Sequence, residues 1–173
     1  MRTCLLLALF LLVSPATAEV PREYQVKAAF LYNFAKFVQW PQSRFPSPES
    51  PLVIGVLRAN PFGAELEKAV NGRQINGRPV VVRLVTGSAA ARQTHLLFIG
   101  SGQDANLADL QATLKGHAVL TVGESSSFAR QGGIITFTPQ NGTVRFAINR
   151  QTADEAGLKI SAQLQKLAVG ARK

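Results

Sequence analysis

Cysteine is almost absent from this chain. Of 173 residues only Cys4 is one, and it heads an apolar run near the N-terminus. Everything beyond that run must hold together by packing rather than disulfides, and it can offer neither a thiolate nucleophile nor a thiolate metal ligand. Histidine is nearly as scarce. His95 and His117 each open an apolar segment, and neither has a carboxylate or second histidine at ligand spacing. That argues against a zinc centre and makes both structural residues at strand entries. Acidic residues number 10 against 19 Lys and Arg. A carboxylate pair for acid–base chemistry would have to come from Asp104, Asp109, Glu124, Asp154 or Glu155, and three of these read as helix-start residues favoured by the macrodipole. Gly123-Glu-Ser-Ser-Ser127 is not a hydrolase nucleophile elbow, because Ser127 stands where glycine is required. Gly100-Ser-Gly102 lacks the further glycine and the lysine of a phosphate loop. No enzyme activity and no cofactor are expected from this inventory.

Long apolar runs are also missing, apart from Cys4–Val13, which is too short to anchor in a bilayer. With Arg2 before it and Ala16-Thr-Ala18 after it, the run reads as a signal peptide cleaved after Ala18. Residues 1–18 are then a leader, and 19–173 form a single domain large enough for a full core. Without Arg2 the balance is 18 basic to 10 acidic residues, a net charge of +8. The basic residues are scattered rather than gathered in an aromatic-studded patch, so no nucleic-acid partner is expected. Plain solubility accounts for the charge, as does attraction to acidic protein surfaces or anionic head groups.

What the chain does have is one stretch rich in aromatics. Tyr24, Phe30, Tyr32, Phe34, Phe37 and Trp40 are six of its thirteen aromatic residues. At helical spacing over Lys27–Pro41, Tyr24, Val26, Phe30, Leu31, Phe34, Ala35, Phe37 and Val38 share one broad arc, with Lys27 inside it. Such an arc needs cover on more than one side, from the chain's own sheet, a partner or a second copy in a homodimer. Tyr32, Lys36 and Trp40 lie on the weaker face and are candidate partner contacts.

The rest alternates strands and helices. Pro41–Pro51 reads as a floppy loop. Leu52–Leu57, Pro79–Val85, His95–Gly100 and Ala118–Val122 read as strands, the continuous apolar runs among them as strands buried on both faces. Asn60-Pro61 reads as the start of a helix to about Val70, and Asp104–Lys115 as a second amphipathic helix. Asn141-Gly142 marks a hairpin between Gly133–Gln140 and Thr143–Asn149. A last helix starts near Thr152, with Glu155 completing a capping box. Its apolar stripe includes Gly157, read as a close approach to the sheet. Leu158 points away from it, as an exposed residue or an interface contact, and the tail frays from about Val169. The pattern predicts an α/β fold: a single domain with a mostly parallel central sheet flanked by helices, a C-terminal antiparallel β-hairpin and a final helix. In such sheets ligands bind beyond the strand carboxyl ends. Arg58, Asn60, Ser101, Glu124, Ser125 and Ser126 stand there, as a small-ligand crevice or as turns and caps.

Ala28-Ala-Phe-Leu-Tyr-Asn-Phe-Ala-Lys-Phe-Val-Gln-Trp-Pro41, Gly132-Gly-Ile-Ile-Thr-Phe137, Val144-Arg-Phe-Ala-Ile-Asn149 and Ala156-Gly-Leu-Lys-Ile-Ser-Ala-Gln-Leu-Gln-Lys-Leu-Ala168 together resemble the YfiR-like family of small periplasmic proteins. The resemblance implies a periplasmic repressor that binds the sensor domain of an inner-membrane diguanylate cyclase, lowering cyclic-di-GMP and biofilm formation. It also implies an OmpA-like outer-membrane lipoprotein that sequesters the repressor. Members adjoin different membrane sensors, so a histidine kinase is an alternative partner. Better-known members carry cysteine pairs. This chain has none, and redox control does not carry over.

Overall fold

The computed structural model describes residues 20–103, 107–140 and 142–170. The expected leader, Asp104 and Asn141 lie outside them. Among the described residues the chain runs α1 (Arg22–Phe37), β1 (Val38–Gln39), β2 (Leu52–Leu57), α2 (Glu65–Val70), β3 (Gln74–Ile75), β4 (Arg78–Val85), α3 (Ser88–Ala91), β5 (Leu96–Ile99), α4 (Leu107–Leu114), β6 (Leu120–Gly123), α5 (Ser126–Arg130), β7 (Ile135–Gln140), β8 (Thr143–Ile148), α6 (Arg150–Glu155), β9 (Lys159–Ile160) and α7 (Ala162–Leu167).

A seven-stranded sheet has the order β3-β4-β2-β5-β6-β7-β8. From β4 to β7 the neighbours are parallel. An antiparallel pair closes each end, β3 with β4 and β7 with β8. Every residue of β2, β5 and β6 is buried, as continuous apolar runs require when helices cover both faces. Alternation splits the core in two. Ile54, Val56, Leu96, Phe98, Leu120, Val122 and Phe137 meet Leu31 and Phe34 of α1 and Leu66 of α2. Leu57, Leu97 and Ile99 meet Ala91, Leu107, Leu114 and Phe128 of α3 to α5. The chain passes from β2 out to β4 and then back to β5 on the other side of β2, so the strand order reverses between β2 and β5.

The broad arc of α1 is covered mainly by the chain's own sheet. The Phe34 ring lies 4.9 Å from Phe146 and 5.7 Å from Phe137, whereas Val26, also on the arc, is exposed. The helix stops at Phe37, short of the expected Pro41. Trp40 precedes proline and is pushed toward extended backbone, and Val38–Gln39 pair antiparallel with β9 instead.

Several local expectations are corrected. Asn60 does not cap a helix at Pro61. Its Oδ1 accepts the Phe62 N–H at 3.0 Å and its Nδ2 donates to the Gly63 carbonyl at 3.0 Å, making a turn before α2 begins at Glu65. The loop at 41–51, expected to be floppy, is tied to β4 by the Arg78 guanidinium, which donates to the carbonyls of Ser47, Pro48 and Ser50. The expected last helix is two short helices. Asn149, not Thr152, caps α6, its Oδ1 accepting the Thr152 N–H. Gly157 ends that helix in the left-handed region at φ 74°, and a Cβ there would meet only Pro41 at 3.8 Å. The break turns Leu158 inward, where it is 1% exposed rather than at an outer surface. Close approach belongs to Gly123 and Gly133, where a Cβ would fall 2.5 and 2.1 Å from the Phe128 ring. Val169 is tied down as well, its N–H donating to the Phe146 carbonyl at 2.7 Å. The β7–β8 hairpin has the expected register, with Gln140 opposite Thr143.

Candidate functional site

The strand carboxyl ends separate into two places rather than one crevice. After β6 comes Glu124, whose side chain is 6% exposed and forms an ion pair with the Lys27 ammonium of α1. Glu124 Oε1 accepts from the Tyr24 hydroxyl at 2.9 Å and from the Ser101 N–H at 2.7 Å. Glu23, one helical turn before Lys27, also reaches its Nζ, at 2.5 Å. These residues, with Phe137, Pro139 and Val144 of the hairpin, line a cleft of about 230 Å³. Arg58 lies elsewhere. It is exposed, holds a positive φ of 58°, and lines a separate cleft of about 310 Å³ with Thr86, Ser88, Gln103 and Asp109.

Of the six residues expected at a crevice, the structure joins Ser101 and Glu124 directly. Ser125 caps α5, its Oγ accepting the Phe128 N–H at 3.0 Å. Ser126 opens that helix and is exposed. Asn60 is used in its turn. Tyr24 and Lys27 were missed as site residues, although a lysine inside an apolar arc was a legible signal. A buried ammonium needs a carboxylate to offset its desolvation.

Electrostatics locks this pair in its charged form. Burial alone would raise the Glu124 pKa, but the Lys27 ammonium, the Ser101 N–H and the Tyr24 hydroxyl outweigh it, and the carboxyl stays below its ordinary range. Burial likewise works against Lys27, and the carboxylates of Glu124 and Glu23 reverse the effect, so its pKa is raised. Two negative groups face one positive group, which leaves the cleft mouth slightly anionic within a cationic protein.

The expected partner contacts also divide. Tyr32 is half-buried, with the Arg73 guanidinium 4.8 Å from its ring centre. Lys36 is exposed, its ammonium over the Phe37 ring. Trp40 is half-buried and donates its indole N–H to the His95 carbonyl at 3.0 Å. Leu158 belongs to the core. His95 itself accepts the Val53 N–H on Nδ1 at 3.0 Å and stacks on Phe45 at 4.4 Å. Burial, with Arg44 and Arg78 nearby, pushes its pKa down to about 4.

Among the described residues, no group of three His, Cys, Asp or Glu side chains could hold a metal ion, and no helix is long and apolar enough to cross a membrane. No curated protein matches the chain. Among solved structures, a conserved domain protein from Vibrio cholerae O1 biovar El Tor strain N16961 shares the fold, with a TM-score of 0.55 at 12% identity. The likeness covers 84% of this chain and 59% of that one, so this chain spans less than two thirds of its neighbour's length. A family model described as YfiR/HmsC-like matches residues 24–169, from the first turn of α1 to just beyond α7, and the chain belongs to that family.

Proposed function

We propose that this protein is a periplasmic regulator that docks on the sensor domain of an inner-membrane signalling protein, a diguanylate cyclase, and holds it inactive, thereby lowering cyclic-di-GMP and biofilm formation. The observation that carries this reading is family membership across residues 24–169. The signal-peptide pattern at residues 1–18 supports export. An OmpA-like outer-membrane lipoprotein is the proposed competing partner. Repression needs no covalent chemistry and no cofactor, only tighter binding to the inactive state of a two-state receptor than to its active state. Tyr32 and Lys36 are the surface residues of α1 proposed to take part. Deletion of the gene is expected to raise cellular cyclic-di-GMP, and restoring it in trans to lower the level again. An unchanged level in the deletion strain would overturn the proposal.

The cleft at Lys27 and Glu124 favours a second reading, a small-molecule sensor acting on another receptor such as a histidine kinase. At about 230 Å³ it lies below the usual range of about 300–1,000 Å³ for ligand pockets, so its ligand would be compact. A thermal-shift screen of small metabolites tests it. A raised melting temperature that disappears in Glu124→Gln supports a sensor, and a flat screen opposes it.

A further inference from the structure

We propose that the outer edge of β4 is a docking strand, and that its occupant is an extended, carboxylate-bearing segment of the partner protein that adds to the sheet beside Val80–Val85. This rests on the regulatory reading above and names the surface through which it works.

The edge is open by register. β3 covers only the start of β4, pairing Ile75 with Arg78 and Gln74 with Pro79. The next outward group, the Val80 N–H, is taken by the Arg73 carbonyl at 3.2 Å. On the inner side β4 runs parallel to β2 from Val80 to Val85, and the Val85 carbonyl turns inward to accept the Arg58 N–H. Backbone groups alternate sides along a strand, so those of Val82 and Leu84 point outward like those of Val80. No described group pairs with them. An extended segment would find a donor and an acceptor at each of these two residues, repeated at the spacing of a strand.

The side chains suit an apolar contact at the centre with an acidic rim. Leu84 is 59% exposed, the most exposed large apolar residue among those described. Val81 and Val82 are half-buried beside it, and Arg83 is exposed. A monomer usually guards such an edge with charge or coverage, and here the guard is of one sign. Arg83 on the strand and Arg73 beside it are exposed, Arg78 being buried on the loop carbonyls, and from Asn71 to Gln103 the chain carries no Asp or Glu. An incoming strand with carboxylates opposite Arg83 meets no like charge from this segment. A second copy would set the same arginines against each other, which disfavours self-pairing. The surface also continues onto α1, because Arg73, whose carbonyl takes the Val80 N–H, lies over the ring of Tyr32.

The test mixes the mature chain with the purified periplasmic domain of the neighbouring membrane sensor and follows affinity and amide exchange. Upon binding, the amides of Val82 and Leu84 are expected to slow at least about tenfold. Arg83→Glu and Leu84→Lys, at exposed positions that leave the melting temperature unchanged, are each expected to weaken binding about tenfold or more. Arg145→Glu, at the opposite edge of the sheet, should change it by less than about twofold. Binding with unprotected Val82 and Leu84 amides, or binding that ignores both edge variants, overturns this inference and leaves the regulatory reading standing. No binding at all overturns both. A free chain that dimerises through this edge, with those amides already protected and the dimer lost in Leu84→Lys, overturns the inference by giving the edge to a second copy.

Discussion

Lys27 is 4% exposed, and its charge is tolerated because the carboxylates of Glu124 and Glu23 lie beside it. Lys27→Met should therefore leave a buried carboxylate unpaired and cost about 3–5 kcal/mol by denaturant titration, whereas the double change with Glu124→Gln should cost less than the single one. The pH signature has a definite sign. Glu124 has a folded pKa below its unfolded one, so its contribution is present above the ordinary carboxylate range and is lost as pH falls through the folded value. His95 acts in the same direction, because its folded pKa is held down to about 4. The unfolded chain takes up that proton first, and stability drops as pH falls from about 6.5 toward 4. Melting temperatures across that window should fall more steeply for wild type than for His95→Asn, whose amide oxygen can still accept from Val53. Phe34, with no exposed surface, should cost about 3–5 kcal/mol as alanine. A melting temperature equal to wild type would remove it from the core. Burial of Phe34 was legible from helical spacing alone. The partner of Lys27 was not, because Glu124 lies 97 positions away and periodicity carries no information at that distance.

At the level of elements, the continuous apolar runs announced the central strands, and Asn141-Gly142 announced the hairpin, because both signals are local. The last helix misled for a local reason too. Its apolar spacing continued through Gly157, yet glycine there takes a positive φ and stops the helix. Gly157→Ala should cost about 1–2 kcal/mol by forcing an L-residue into that region, with no clash to relieve. Gly133→Ala is expected to act differently, since its methyl would collide with the Phe128 ring. Overpacking of this kind costs about 1–3 kcal/mol and should disturb the aromatic signals of Phe128, while Gly157→Ala leaves them unchanged. Circular dichroism and one-dimensional proton spectra separate the two. The end of α1 was blurred in sequence because long-range pairing with β9 decides where it stops.

For the molecule as a whole, the excess of 9 positive charges in the full chain predicts association with an acidic partner that weakens as salt rises through the physiological range, chiefly in the on-rate. Stopped-flow association at two ionic strengths checks this, and a salt-independent rate would contradict it. The architecture also bears on when the fold can close. β1 at the end of the first helix pairs with β9 near the C-terminus, Val38 with Ile160 and Gln39 with Lys159, and the Ser161 N–H reaches the Phe37 carbonyl at 2.9 Å. The hairpin under Phe34 is likewise assembled from the last third of the sequence. An emerging polypeptide can lay its greasiest helix on β2 and α2 early, but it cannot finish covering that helix until almost all of the chain has been synthesised. Closure waits for the final two dozen residues, and the chain stays pliable for as long as they are withheld.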